Sequence, residues 1–295
     1  SSAASDVYKR QIMKNIKMSN GVEIPILGYG VYTIEDENLC EKCVIDAIET
    51  GYRHIDTAAI YMNEPAVGKA IKNCGVNREE LFITSKLWVQ DQGYDMTKQA
   101  IGASLKRLGL DYLDLYLIHE PMGDIYGQWR ALEEAYKAGK IKAIGVSNMY
   151  ADRLCDFLYH VEIKPVINQV RTNPYFQHID TKKFEDENGI IHQAHSPFSQ
   201  GDSSIFTNPV LVEIAHNHNK TVGQIVLHWL IQRNIVTLTR TVKKERMAEN
   251  LNIFDFELTD EEMNKIKTLD RPDGNCYDNR NPDVVKMILA KRYKY

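Results

Sequence analysis

Four side chains suited to moving protons stand at or just after the ends of short apolar runs: Asp56, Tyr61, Lys86 and His119. Each has an ordinary explanation on its own. An aspartate after a strand caps a turn, a loop tyrosine packs, a lysine at a strand end is solvated, and a lone histidine is structural. Gathered at one place, they would suit the reduction of a carbonyl. That reaction needs a hydride at carbon and a proton for the oxygen that becomes an alkoxide. A free phenol, with a pKa near ~10, is a poor proton donor at neutral pH. A neighbouring ammonium lowers that value, so Lys86 is expected to make Tyr61 more acidic. Asp56 would keep Lys86 charged and in place. His119 would donate a hydrogen bond to the carbonyl oxygen.

Four polar residues cannot assemble themselves, and the chain supplies a repeating frame. After a small hairpin over 16–25, turned at Asn20-Gly21, short apolar strands alternate with amphipathic helices. The spacing predicts strands over 27–30, 53–57, 81–87, 113–119, 143–147, 166–170, 190–195 and 235–239. Helices are predicted over 38–50, 65–74, 95–108, 126–138, 151–159, 181–188, 221–233 and 243–252, with a further one over 259–269 and a loop-rich tail after it. Thr221 with Gln224 and Thr259 with Glu262 form capping boxes. Eight such units predict a parallel sheet closed into a (β/α)8 barrel. Gly28, Gly30 and Thr33 miss the GxGxxG spacing, which argues against an open dinucleotide-binding sheet.

A barrel of this kind carries its chemistry at the carboxyl ends of its strands. Those ends hold, besides the four residues above, Ser147, Asn148, Asn168, Gln169, His195, Ser196, Thr239, Arg240 and Thr241.

The chain has 295 residues, with 43% hydrophobic and 26% charged residues and a formal net charge of −4. These values fit one barrel domain over 14–295 and give no polyanion-binding surface. Residues 1–11 lack periodicity and are set aside as a non-native or disordered lead, with Met13 a sensible start. Five scattered cysteines fit a reducing cytoplasm. Cys40 and Cys43 lie in a helical pattern without a second pair, so no zinc site is expected there, and no metal is expected elsewhere. His216 and His218 are read as surface residues of a polar loop without a carboxylate partner. No apolar run approaches the ~20 residues of a membrane span, so the chain is expected to be soluble and cytoplasmic, with no nucleic-acid or membrane partner.

From Lys14 to Leu269 the sequence resembles the aldo-keto reductase superfamily, in its bacterial-type branch. The resemblance rests on GYRHIDTA at 51–58 followed by Tyr61, Asn63 and Glu64, on ITSKLW at 83–88, LDLYLIHEP at 113–121, GVSN at 145–148 and NQV at 168–170. It implies a monomer, with NADPH lying extended across the barrel mouth. It implies Tyr61 as general acid, Lys86 and Asp56 as its tuners and His119 as the orienting donor. Ser147, Asn148 and Gln169 would hold the nicotinamide carboxamide, with His195 and Ser196 near the ring. Arg240 and Thr241 would meet the 2′-phosphate, and Arg246, Glu249 and Asn250 the adenine side.

Tyr32, Trp88 and Glu120 would line the substrate pocket, with Tyr29, Cys276 and Tyr277 as further wall candidates. The sequence departs from the family pattern at four places. Thr239-Arg240-Thr241 replaces a proline-lysine-serine run. His195 replaces an aromatic that stacks on the nicotinamide, with less surface and an expected pH dependence. Glu120 replaces a pocket tryptophan, giving an expected anionic wall. Arg171 follows NQV where an acidic residue is usual. Two other functions stay open on the sequence: a catalytically weak nicotinamide-binding regulator, and a lyase using Lys86 as a Schiff-base nucleophile.

Overall fold

The computed structural model describes residues 14–200, 202–271 and 278–294. The chain opens with an antiparallel hairpin, β1 (Asn15–Lys17) and β2 (Glu23–Pro25), pairing Ile16 with Ile24. Gly21 at its turn has φ 88, a left-handed conformation that glycine adopts without a Cβ clash.

Eight parallel strands follow: β3 (Leu27–Gly30), β4 (His54–Asp56), β5 (Phe82–Leu87), β6 (Leu115–Ile118), β7 (Ile144–Ser147), β8 (Ile167–Arg171), β9 (Ile191–His195) and β10 (Val236–Thr239). They close into a barrel in chain order, with β10 pairing β3. Helices α1 (Glu37–Thr50), α2 (Glu64–Asn73), α3 (Gly93–Leu108), α4 (Ile125–Lys137), α5 (Ala151–Leu158) and α6 (Ile179–Glu187) alternate with β3 to β9. Between β9 and β10 come α7 (Pro209–Asn217) and α8 (Val222–Gln232). After β10 come α9 (Lys244–Leu251), α10 (Asp260–Lys267) and α11 (Pro282–Ala290).

The barrel fits the sequence expectation, but two helices are additions. Helix α7 occupies a stretch read as loop, and α11 lies in the tail read as loop-rich. Both start the same way. Asn208 caps α7, its side chain accepting from Val210 N at 3.0 Å, with Pro209 in the first turn. Asn281 caps α11, accepting from Asp283 N at 2.9 Å, with Pro282 in the first turn. An asparagine cap followed by proline is a helix-start signal, and the sequence reading missed it in both places. His216 accordingly lies on α7. His218, expected to lack a carboxylate partner, lies 3.0 Å from Glu262 through Nε2.

Side chains alternate across each strand, and the inward rows stack in layers. Phe82, Thr84 and Lys86 climb β5 in steps of two, as His54 and Asp56 climb β4 and Ile167 and Gln169 climb β8. The floor is apolar: Met18 and Ile24 of the hairpin pack with Phe82, Leu115, Leu117, Ile167 and Val236. The middle is crowded. A Cβ on Gly28 would sit 2.5 Å from His54 Nδ1, so the β3–β4 wall requires glycine there. The top is polar. Cys40 and Cys43 are buried on the inner face of α1, within the hydrophobic core. Among the described residues no cluster of three potential metal ligands occurs, and no helix is long and apolar enough to cross a membrane.

Outside the barrel, helices pack closely where small residues allow it. A Cβ on Gly68 of α2 would come within 2.2 Å of the Leu108 carbonyl oxygen at the end of α3. Backbone cannot yield as a flexible side chain can. Gly68→Ala should therefore destabilise the fold by about 1–3 kcal/mol, the usual cost of overpacking. The urea-unfolding midpoint would show it, and an unchanged midpoint would contradict this packing.

Candidate active site

The polar top of the barrel begins with Lys86, which is fully buried. Its Nζ donates to Asp56 Oδ1 at 2.5 Å, to the Thr57 carbonyl at 2.9 Å and towards Tyr61 Oη at 3.5 Å. An ammonium has three protons, and these three acceptors engage them. No lone pair is left for attack on a carbonyl, which argues against the Schiff-base lyase.

Tyr61 ends a short 3₁₀ turn, Ala59–Tyr61, after β4. Asn63 anchors that turn. It donates to the carbonyls of Val31 (3.0 Å) and Ile34 (3.2 Å) and accepts from Thr57 Oγ1 (2.8 Å). The Tyr61 turn and the loop after β3 are thereby held together, and the Tyr32 and Tyr61 rings lie 5.0 Å apart. His119 follows β6. Its ring stands edge-on to Tyr61 at 5.6 Å and to Trp88 at 5.1 Å. Asp56, Tyr61, Lys86 and His119 therefore stand together at the barrel mouth.

Within these four residues the electrostatics differ from the sequence expectation in one respect. Lys86 was expected to lower the Tyr61 pKa. Burial instead pushes the phenol well above its ordinary value, with the Asp56 carboxylate adding to the rise. The reason is the ion pair itself. Asp56 lies 1 Å nearer to Lys86 than Tyr61 does, so the pair presents little net positive charge to the phenol, and desolvation dominates. Burial also draws Lys86 below its ordinary value, while Asp56 and Glu64 oppose that shift. His119 is held well below its usual range by burial and by Lys86. Its ring is thus neutral.

The remaining expected site residues fall into two groups. One is used internally. Ser147 Oγ donates to the Gln169 carbonyl at 2.7 Å. Gln169 Nε2 donates to Asp56 Oδ2 at 2.9 Å and to Gln193 Oε1 at 3.0 Å. Gln169 therefore spans the barrel from β8 to β4. Asn148, at φ 58, donates to the His119 carbonyl (3.1 Å) and to Glu120 Oε1 (3.0 Å). Tyr29 is also internal: it is fully buried and donates to the Thr241 carbonyl at 2.6 Å, so it is packing rather than pocket wall.

The second group rims the mouth. His195 is partly buried, with Nδ1 3.1 Å from Ser196 Oγ. Burial pulls its pKa down to about 3, so it stays neutral above that pH and supplies no pH dependence near neutrality, contrary to expectation. Arg240 is exposed and donates to the carbonyls of Tyr32 (3.2 Å) and Thr33 (3.4 Å). Thr33 has φ 63, strained for a β-branched residue. Thr241 Oγ1 accepts from Lys243 N at 3.2 Å just before α9. On α9, Arg246 is exposed, Glu249 accepts from Thr221 Oγ1 at 2.7 Å, and Asn250 is buried against Tyr52. Arg171 donates to the Gln200 carbonyl at 2.9 Å.

Glu120 departs most from its expected role. It is 9% exposed, and burial pushes its pKa up to about 8 against the pull of Asn279, Asn148 and Lys291. At pH 7 it is mainly a neutral carboxylic acid, not an anionic wall.

The sequence reading also missed what covers this side of the mouth. Trp88 Nε1 donates to the Lys291 carbonyl at 2.9 Å, and Tyr293 Oη donates to Asp91 Oδ2 at 2.6 Å. Asn279 Nδ2 donates to the Asn148 carbonyl at 2.8 Å. The tail is strapped over Trp88 and Glu120 by partners as much as 203 residues away, which no local pattern signals. The expected wall residues Cys276 and Tyr277, and the lead over 1–11, lie outside the described residues.

Residues 27–271 match the model of the aldo/keto reductase family. The glyoxal reductase of Bacillus subtilis (strain 168) is 50% identical over 257 residues, which cover 87% of this chain and 92% of that protein. The 9,11-endoperoxide prostaglandin H2 reductase of Trypanosoma cruzi is 43% identical, covering 90% and 96%. A solved Bombyx mori aldo-keto reductase in complex with NADP superposes with a TM-score of 0.84 at 34% identity, covering 91% and 97%.

The buried pair gives a direct prediction. Asp56→Ala would leave the Lys86 ammonium sealed in the barrel without its counter-charge. Breaking a buried pair from one side costs about 3–5 kcal/mol. Chemical denaturation should register a loss of that order, and a change under about 1 kcal/mol would mean that Asp56 does not balance Lys86.

Proposed function

This chain belongs to the aldo/keto reductase family, and on that premise we propose that it uses NADPH to reduce aldehyde or ketone carbonyls to alcohols. Small aldehydes, dicarbonyls and keto-sugars are the substrate class. The observation that carries the reading is the gathering of Asp56, Tyr61, Lys86 and His119 at one end of the barrel. The printed activities of the relatives, glyoxal reduction among them, support it.

The rim fits the cofactor. Arg240 is an exposed cation whose two partners are uncharged carbonyls, so its charge remains available to a phosphate. Arg246 adds a second exposed cation on α9. Ser147, Asn148 and Gln169 would face the carboxamide end and His195 and Ser196 the ring, with Thr241, Glu249 and Asn250 on the adenine side. The bound cofactor supplies the hydride equivalent.

The protein does the rest. His119, neutral, donates a hydrogen bond that orients the substrate oxygen. Tyr61, held protonated by its burial, is a loaded acid and gives its proton to that oxygen as negative charge develops there. The phenolate left behind faces the Lys86 ammonium, which stabilises it, and is reprotonated from solvent. Lys86 therefore acts on Tyr61 after the proton has left, when a full negative charge stands 3.5 Å away. Asp56 keeps that cation in position throughout.

Two outcomes test this. Wild-type protein with NADPH and a panel of aldehydes and dicarbonyls should consume NADPH, followed by absorbance. Tyr61→Phe should lower kcat by about 10²–10⁴, the usual worth of a positioned acid, while still binding cofactor. Equal rates in the two proteins would refute the role of Tyr61. Separately, Arg240→Ala should weaken NADPH binding by roughly 10- to 100-fold and leave NADH binding nearly unchanged, since a charged hydrogen bond is worth about 1.5–3 kcal/mol. Fluorescence titration with each nucleotide reads the difference.

A further inference from the structure

Glu120 is a costly residue to bury, and no step above uses it. One carboxyl oxygen, Oε1, accepts from Asn148 Nδ2 at 3.0 Å. The other, Oε2, is buried and has no hydrogen-bond partner of good geometry among the described residues, although the Asn279 amide lies near enough to the carboxyl to oppose the rise of its pKa. A buried polar atom left unpaired costs about 1–3 kcal/mol, so a native protein that keeps one invites a functional account.

Its contacts place it beside the reacting residues. His119 precedes it, and the same Asn148 amide that binds Oε1 also binds the His119 carbonyl at 3.1 Å. It lies near enough to Tyr61 that its carboxylate, once formed, helps to raise the pKa of the phenol. From the tail, Asn279 and Lys291 approach it, and the tail is fastened nearby through Trp88. The titratable or charged groups around it are thus His119 on its own strand end, Tyr61 from the turn after β4 and Lys291 from the tail. Asn148, after β7, and Asn279 contribute only amides.

We propose that Glu120 is a specificity-determining residue whose carboxylic acid donates through Oε2 to a second oxygen of the substrate. It would favour carbonyl compounds carrying an oxygen on the adjacent carbon, meaning α-dicarbonyls and α-hydroxycarbonyls, over simple aldehydes. His119 and Tyr61 would hold the carbonyl oxygen that is reduced, and Glu120 the neighbouring one. The proposal rests on the carbonyl-reductase reading above and names the substrate class for that site. The raised carboxyl supports it: at neutral pH Glu120 carries the proton that a donor needs. As pH rises through about 8, the acid becomes a carboxylate. A carboxylate only accepts hydrogen bonds and repels the partial negative charge of a carbonyl oxygen.

The test compares wild type, Glu120→Gln and Glu120→Leu with NADPH, on methylglyoxal and on propionaldehyde, from pH 6 to 9. The quantity read is the ratio of kcat/KM for the two substrates. In wild type that ratio should fall as pH rises through about 8. In Glu120→Gln, whose amide still donates, the ratio should stay flat with pH. In Glu120→Leu it should drop at least about tenfold, mainly through KM, the equivalent of roughly 1.4 kcal/mol. A component of the protonated-carboxyl infrared band in the cofactor-free protein should titrate near pH 8 and be missing from Glu120→Gln, leaving the contribution of the buried Glu185, whose carboxyl is also pushed up by burial. A Glu120→Leu ratio equal to wild type, or the same pH profile in Glu120→Gln, would overturn the proposal. Should Glu120→Leu fail to fold, the Glu120→Gln profile and the infrared band still decide it. Wild type turning over neither substrate would instead count against the carbonyl-reductase reading, a failure distinct from these.

Discussion

The site is organised by a lysine that the fold cannot leave unpaired. Lys86 has no exposed surface, and taking an ammonium out of water is costly unless charge and hydrogen bonds replace the lost hydration. Asp56, one strand away, supplies the charge. Thr57 and Tyr61 supply the remaining acceptors, and Gln169 holds the second oxygen of Asp56 from the opposite wall. Each of these positions follows from the need to satisfy Lys86, and together they bring a phenol to the mouth of the barrel. The same satisfaction makes Lys86 a poor nucleophile and a good counter-ion.

The ion pair also explains why the unliganded protein holds its acid in reserve. A bare lysine beside Tyr61 would draw out the proton before any substrate arrived. A lysine already neutralised at 2.5 Å does not. The phenol keeps its proton, and the positive charge acts only once a negative charge appears beside it. Preorganised charge of this kind stabilises the product of proton transfer more than its start, as catalysis requires.

Much of this was readable in the residues. Barrel strands are buried on both faces, so they appear as short apolar runs, and the eight runs with their polar ends located Asp56, Lys86 and Gln169 on the correct strands and His119 just past the end of its strand. Capping boxes at Thr221 and Thr259 marked α8 and α10. The asparagine-proline pairs at 208–209 and 281–282 carried the same kind of information for α7 and α11 and were overlooked. Other features had no local signal. That Glu120 is neutral, that Tyr61 is less acidic than a free phenol and that His195 cannot protonate near neutrality all follow from burial, which no local pattern sets and to which, at Glu120, the tail contributes. That tail reaches Trp88 and Asp91 across some two hundred residues. Gln169 reads as a mouth residue because it ends a strand, yet strand alternation turns its side chain into the barrel.

Gln169 ties β8 to β4 below the level where the loops begin. Because that bond closes the polar layer from within, the loops and tail above it bear little responsibility for holding Asp56 and Lys86 in register. Their sequences are therefore free to drift. A lineage could exchange the rim, including Glu120, Trp88 and the strap formed by residues 278–294, and so acquire a new clientele of carbonyl compounds while inheriting the same proton-handling interior intact.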